Sequence, residues 1–170
     1  MYNFLVKKRF IWVLTALFLC SNLLIAANGW VASPSGVGPI RVGMSLSQLN
    51  RVLNESFSKP MDKEYQGCFY VRPKRNHGID VMIKDGRVAR IDVSRPGLFT
   101  AEELQVGDSE STVKKKYGVK LEIEPRAYTD GHYLTIKAGQ FGIRYVSHGK
   151  KIEEYYVGRY GVIQYIEGCE

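Results

Sequence analysis

The chain has 170 residues and a formal net charge of +7. Three of the cations are Lys7, Lys8 and Arg9, so the rest of the chain carries only about +4, and its lysines and arginines alternate with acids. That balance excludes nucleic-acid binding as a leading function.

The N-terminus reads as a processing segment. Lys7, Lys8 and Arg9 form a positive region, followed by an uncharged apolar run of 18 residues from Phe10 to Ala27. The small residues Ala26 and Ala27 stand where a signal peptidase requires them, so residues 1–27 read as a signal peptide. The run is at the short end of what spans a bilayer, and an uncleaved inner-membrane anchor is the alternative. Cys20 does not fit a lipid-attachment signal, because Leu17, Phe18 and Leu19 precede it. Removal of residues 1–27 leaves 143 residues, enough for one shared core, in an exported protein that is periplasmic or secreted.

Residues 28–39 read as an N-terminal linker. After them the chain repeats itself at a spacing of 64 residues. Val42-Gly43-x-Ser45 returns as Val106-Gly107-x-Ser109, and Gly67-Cys68-Phe69-Tyr70 falls on Gly131-His132-Tyr133-Leu134. The turn Asp85-Gly86 returns as His148-Gly149 with a one-residue shift, and Val88 and Ile91 return as Ile152 and Tyr155. A period this long implies a duplicated αβ unit, with residues 40–98 as the first copy and 99–170 as the second.

The first unit opens with a glycine turn into a helix. Ser45-Leu46-Ser47-Gln48 has the form of a capping box, and Leu46, Leu49, Val52 and Leu53 give an apolar face at helical spacing. A connection runs from Lys59-Pro60 to Tyr65. Cys68–Val71, Ile79–Ile83 and Val88–Val93 read as strands, the last two joined by a Lys-Asp-Gly-Arg hairpin turn. Arg95-Pro96-Gly97 separates the units. The second helix starts at Asp108 or Ser109, uses Val113 and Tyr117, and ends at Gly118; Asp108 and Glu110 serve its N-terminus. Lys114-Lys115-Lys116 reads as a solvated helix face. Residues 120–124, 132–137, 141–146, 152–157 and 162–166 read as strands. The fold class is therefore α+β: two tandem helix-plus-antiparallel-meander units in one domain, with one sheet face under the helices and the other available.

The opening Val-Gly-x-Ser, short helix and meander resemble the BamE/SmpA-like lipoprotein unit, and two in tandem resemble the β-lactamase-inhibitor-protein architecture. The segments Gly36-Val37-Gly38-Pro39-Ile40-Arg41-Val42-Gly43-Met44, Val106-Gly107-Asp108-Ser109-Glu110, Gly131-His132-Tyr133-Leu134 and Tyr165-Ile166-Glu167-Gly168-Cys169 are similar to those of small exported bacterial proteins of unassigned activity. The resemblance implies a non-enzymatic protein-binding module of inhibitor or assembly type.

Cys68 and Cys169 are the two cysteines left after the signal peptide, and an even count in an exported chain favours a disulfide. The sharper alternative makes Cys68 a nucleophile with His132 as its base in a hydrolase. Catalytic chemistry is otherwise missing. His77, His132 and His148 have no metal-ligand spacing, no phosphate-binding glycine loop occurs, and no cofactor or metal is implied. His77 and His148 read as turn residues and His132 as a hydrogen-bonded sheet histidine.

Aromatic content is the stronger signal. Eleven tyrosines are present, with Arg126, Arg144 and Arg159 interspersed among those of the second half, and tyrosine with arginine is the composition of interface hot spots. About a third of the rings are expected at the surface. Tyr128, His132, Tyr133, Tyr156, Arg159 and Tyr160 are the expected binding residues. The expected partner is a protein of the cell envelope or outside the cell, with a glycan as the alternative.

Overall fold

The computed structural model describes residues 29–75, 78–126 and 129–169. Residues 1–27, expected as a signal peptide, His77 and Tyr128 lie outside them. The protein is α+β, and the described residues form two short α-helices, a large antiparallel sheet and a small second sheet. No helix among the described residues is long and apolar enough to cross a membrane.

Helix α1 spans Leu46–Leu53. The Ser45 Oγ accepts the Gln48 N–H at 3.2 Å while Gln48 Oε1 accepts the Ser45 N–H at 2.8 Å, so both orphan donors of the capping box are satisfied. The helix stops at Asn54, which adopts the left-handed conformation and turns its N–H back onto the last carbonyls. Helix α2 spans Glu110–Tyr117, with Ser109 as its cap and Gly118 at its end. Leu49 and Leu53 of α1 and Val113 of α2 enter one core with the sheet. Full burial of such a side chain stabilises by roughly 1.5–3 kcal/mol.

The large sheet contains β4 (Cys68–Val71), β5 (Ile79–Lys84), β6 (Arg87–Val93), β8 (Glu122–Pro125), β9 (His132–Ala138), β10 (Phe141–His148) and β11 (Lys151–Arg159). Their order is β4-β5-β6-β11-β10-β9-β8. Two meanders, β4-β5-β6 and β9-β10-β11, thus meet through their third strands, where Ile91 faces Val157 and Asp92 faces Tyr156. Asp85 and Gly86 both take positive φ in the β5–β6 hairpin, the twist a two-residue turn requires. Each helix is fastened to the sheet alike. Gly43 N–H donates to the Val88 carbonyl at 2.7 Å and Gly107 N–H to that of Ile152 at 2.8 Å, and the return bonds run from Val88 to Met44 and from Ile152 to Asp108.

The small sheet contains β1 (Val31–Ser33), β2 (Gly36–Val37), β3 (Ile40–Arg41) and β7 (Phe99–Thr100), in the order β3-β2-β1-β7. It corrects the reading of residues 28–39 as a linker: Ala32 and Val37 are fully buried, so this segment is part of the core. A second correction concerns residues 162–166, which form turns and not a strand. Val162 and Ile163 both donate backward to the Arg159 carbonyl, and Tyr165 donates to that of Val162.

Alternation along the strands sorts the two faces. Val81, Ile91, Ile143, Tyr145, Tyr155 and Val157 point toward the helices and form the main core. Met82, Arg90, Asp92, Arg144, Val146 and Tyr156 occupy the alternate positions and face the other way. The expectation that this second face is available holds only in part. Residues 160–169 fold back across its centre, burying Arg90 to 2% and Arg144 to 4% exposure.

Candidate binding site

The second face is organised by two buried arginines. Arg90 grips Asp92 with two hydrogen bonds, Nε to Oδ1 at 2.7 Å and Nη2 to Oδ2 at 2.9 Å. It also donates to the Tyr70 hydroxyl at 2.6 Å and to the Tyr165 carbonyl at 2.8 Å, and its guanidinium lies 4.2 Å from the Tyr156 ring centroid. Arg144 donates to Glu124 and Thr135, each at 3.1 Å, and to Gln164; it stacks 4.1 Å from the Tyr133 ring centroid. Every donor that burial removes from water thus finds an acceptor, as buried charge requires. Burial pushes the Asp92 carboxyl up to about 6, although the hydrogen bonds and charge of Arg90 pull the other way. Burial likewise raises the Tyr156 hydroxyl, helped by the neighbouring Glu154.

Residues 160–169 form a strap over these arginines, fastened at its far end by the disulfide between Cys169 and Cys68 on β4. Between strap and sheet lies a cleft of about 760 Å³, lined in part by Arg126, Tyr133, Glu154, Tyr156, Gln164 and Glu167.

The structure brings together three of the expected binding residues. Tyr133, Tyr156 and Tyr160 share one apolar cluster with Val146 and Ile163, and the Tyr160 hydroxyl donates to Glu122 at 2.7 Å. Tyr133 and Tyr156 are only 8% and 7% exposed, so they form a floor and not a projecting platform. Among the described residues the exposed tyrosines are instead Tyr65, Tyr70 and Tyr165.

Two expected residues stand elsewhere, and both are corrections. Arg159 ends β11 on the side of Val157, opposite the cleft, because Tyr156 and Gly158 take the alternate positions. His132 also turns toward the helices. Its Nδ1 bonds Glu110 at 2.8 Å, and Glu110 further accepts from Ser147 at 2.5 Å and Lys114 at 2.9 Å. Burial opposes the charge on Glu110, but these hydrogen bonds outweigh it and bring the carboxyl down to about 2. This network joins α2 to β9 and β10, the structural use expected of a sheet histidine. The Cys68–His132 pairing does not occur: β4 and β9 have four strands between them, roughly 24 Å at the usual strand spacing.

Sequence reasoning missed Arg90, Asp92 and Glu154. Their signal is a charged residue at alternate positions of otherwise apolar strands, as in Val88-Ala89-Arg90-Ile91-Asp92-Val93.

No family model matches the chain, and no curated protein matches it. Among solved structures, it is similar to a DUF4309 family protein, YjgB of Bacillus subtilis, at 12% identity and a TM-score of 0.45. The match covers 68% of this chain and 78% of that one.

Proposed function

We propose that this chain is an exported, non-catalytic binding module that recognises a protein partner in the cell envelope or outside the cell through the cleft under the C-terminal strap. One observation carries the reading: the strap turns a polar, tyrosine-floored sheet face into a concave site instead of sealing it. Concavity with a few convergent polar groups on an apolar floor is the usual form of a recognition site. The glycan alternative loses support from the same geometry, because guanidinium groups already occupy a face of Tyr133 and of Tyr156. The matched fastening of the two helices supports two tandem units related by a pseudo-twofold, of the kind the BamE/SmpA-like resemblance implies. Superposition of residues 40–93 on 104–157 tests that arrangement. A disulfide across the domain favours an oxidising compartment, and hence export by the N-terminal segment.

Affinity capture from envelope extract, with a glycan array in parallel, tests the function. Wild-type protein should retain one specific partner, and Tyr133→Phe or Glu154→Gln should lose it with an unchanged melting temperature. Saturable glycan binding without protein capture would replace this reading with the alternative.

A further inference from the structure

Around the cleft the charges do not balance. Arg90 is matched by Asp92, Arg144 by Glu124, and Arg126 by Glu153 at 2.7 Å. With those three pairs closed, Glu154 and Glu167 line the cleft without an ion-pair partner among the described residues. Glu154 is held in place by the Tyr156 hydroxyl, which donates to it at 2.5 Å. A second feature is independent of this charge. Tyr133 is more than nine-tenths buried and lines the cleft, yet its hydroxyl has no hydrogen-bond partner among the described residues. No fully buried side-chain oxygen or nitrogen among the described residues lacks a partner, so this hydroxyl is the part of Tyr133 that opens onto the cleft.

An uncompensated carboxylate in a partly desolvated cleft suits an organic cation, which gains charge-assisted hydrogen bonds to it. We infer that the cleft takes a basic side chain, a lysine ammonium or arginine guanidinium, presented by the protein partner, with Glu154 and Glu167 as counter-ions and the Tyr133 hydroxyl as an acceptor. This inference rests on the protein-binding reading and names the group that the partner inserts. The chain's overall positive charge does not oppose it, because Arg90, Arg126 and Arg144 are each paired with a carboxylate.

The test is an amide chemical-shift titration of the disulfide-intact protein with a capped Ala-Lys-Ala peptide, its Nζ-acetylated form, and methylammonium. The lysine peptide should shift Tyr133, Glu154 and Gly168, acetylation should weaken binding about tenfold or more, and Glu154→Gln should have a similar effect. Tyr133→Phe should weaken it severalfold with folding unchanged. Equal binding of the acetylated peptide, or no shifts from either peptide, overturns the inference. Methylammonium binding as tightly as the peptide would also overturn it, by assigning the cleft to a free amine. If a protein partner is captured but insensitive to Glu154→Gln and Glu167→Gln, the inference fails while the binding-module reading stands.

Discussion

The Arg90 guanidinium donates to the backbone carbonyl of Tyr165 at 2.8 Å, joining residues 75 positions apart. Through this bond a sheet residue holds the strap that covers it. The same guanidinium neutralises Asp92, so the strap and the buried carboxylate depend on one side chain.

Arg90→Met should therefore be among the costliest single changes in the protein. It leaves Asp92 buried without its counter-ion, which typically costs about 3–5 kcal/mol. Arg90→Met combined with Asp92→Asn should recover much of that loss. Urea unfolding of both variants checks this; additive losses would show that the pair is not coupled.

Loss of the disulfide should act on the unfolded chain. Cys68 and Cys169 are 101 residues apart in sequence. Closing a loop of that length is worth about 4–5 kcal/mol in the chain-entropy view, so Cys68→Ser with Cys169→Ser should lower the unfolding free energy by up to that amount. Non-reducing peptide mapping of the wild type should recover one linked pair. In the variant, carboxypeptidase should trim residues beyond 160 under native conditions.

Stability should pass through a maximum in mildly acidic solution, because two buried carboxylates pull in opposite directions. Glu110 is brought down to about 2 from an ordinary value near 4.5, so its contribution is complete above that value and is lost as the pH falls toward 2. Asp92 is raised to about 6 from 3.8, so the folded state binds the extra proton and stability declines as pH rises between those values. Each limb should amount to no more than about 3 kcal/mol. Glu110→Gln should flatten the acid limb and Asp92→Asn the other, in denaturant titrations from pH 2 to 7. Limbs that persist in these variants would assign the dependence to other groups.

Gly158 should not accept a side chain. A Cβ there would lie 2.5 Å from the Ala89 carbonyl oxygen and 2.9 Å from the Arg90 Cα, both backbone atoms of β6. Relief requires the β6–β11 seam to open, so Gly158→Ala should cost about 1–3 kcal/mol in thermal unfolding. A neutral result would show that the seam is loose.

The local grammar of the fold is legible in the sequence. Ser45 with Gln48, Asp85-Gly86 and the alternating meander strands each declare their conformation within a few residues, and the structure has them there. The small sheet is not legible, since β2 and β3 have two residues each and cannot display a period. Nor is the role of Arg90 and Arg144. An arginine at an outward strand position ordinarily means solvent, and here it means burial only because the chain returns over it. The six expected site residues illustrate the same limit. Composition singles out Tyr133, Tyr156 and Tyr160, which the structure places in one cluster, whereas His132 and Arg159 fall on the helix side because alternation along a strand separates neighbours in sequence.

The strap follows every strand in chain order, so it cannot close until the sheet beneath it exists. Until then Arg90 and Arg144 are solvated, and nothing in the fold holds Cys169 against Cys68. Oxidation of Cys169 onto Cys68 is consequently a timestamp: it marks the moment when a finished sheet receives its cover. Disulfide formation takes seconds to hours, far longer than hairpin formation. An alkylating agent added early in refolding should therefore trap an intermediate with a complete sheet, two blocked thiols and an open second face.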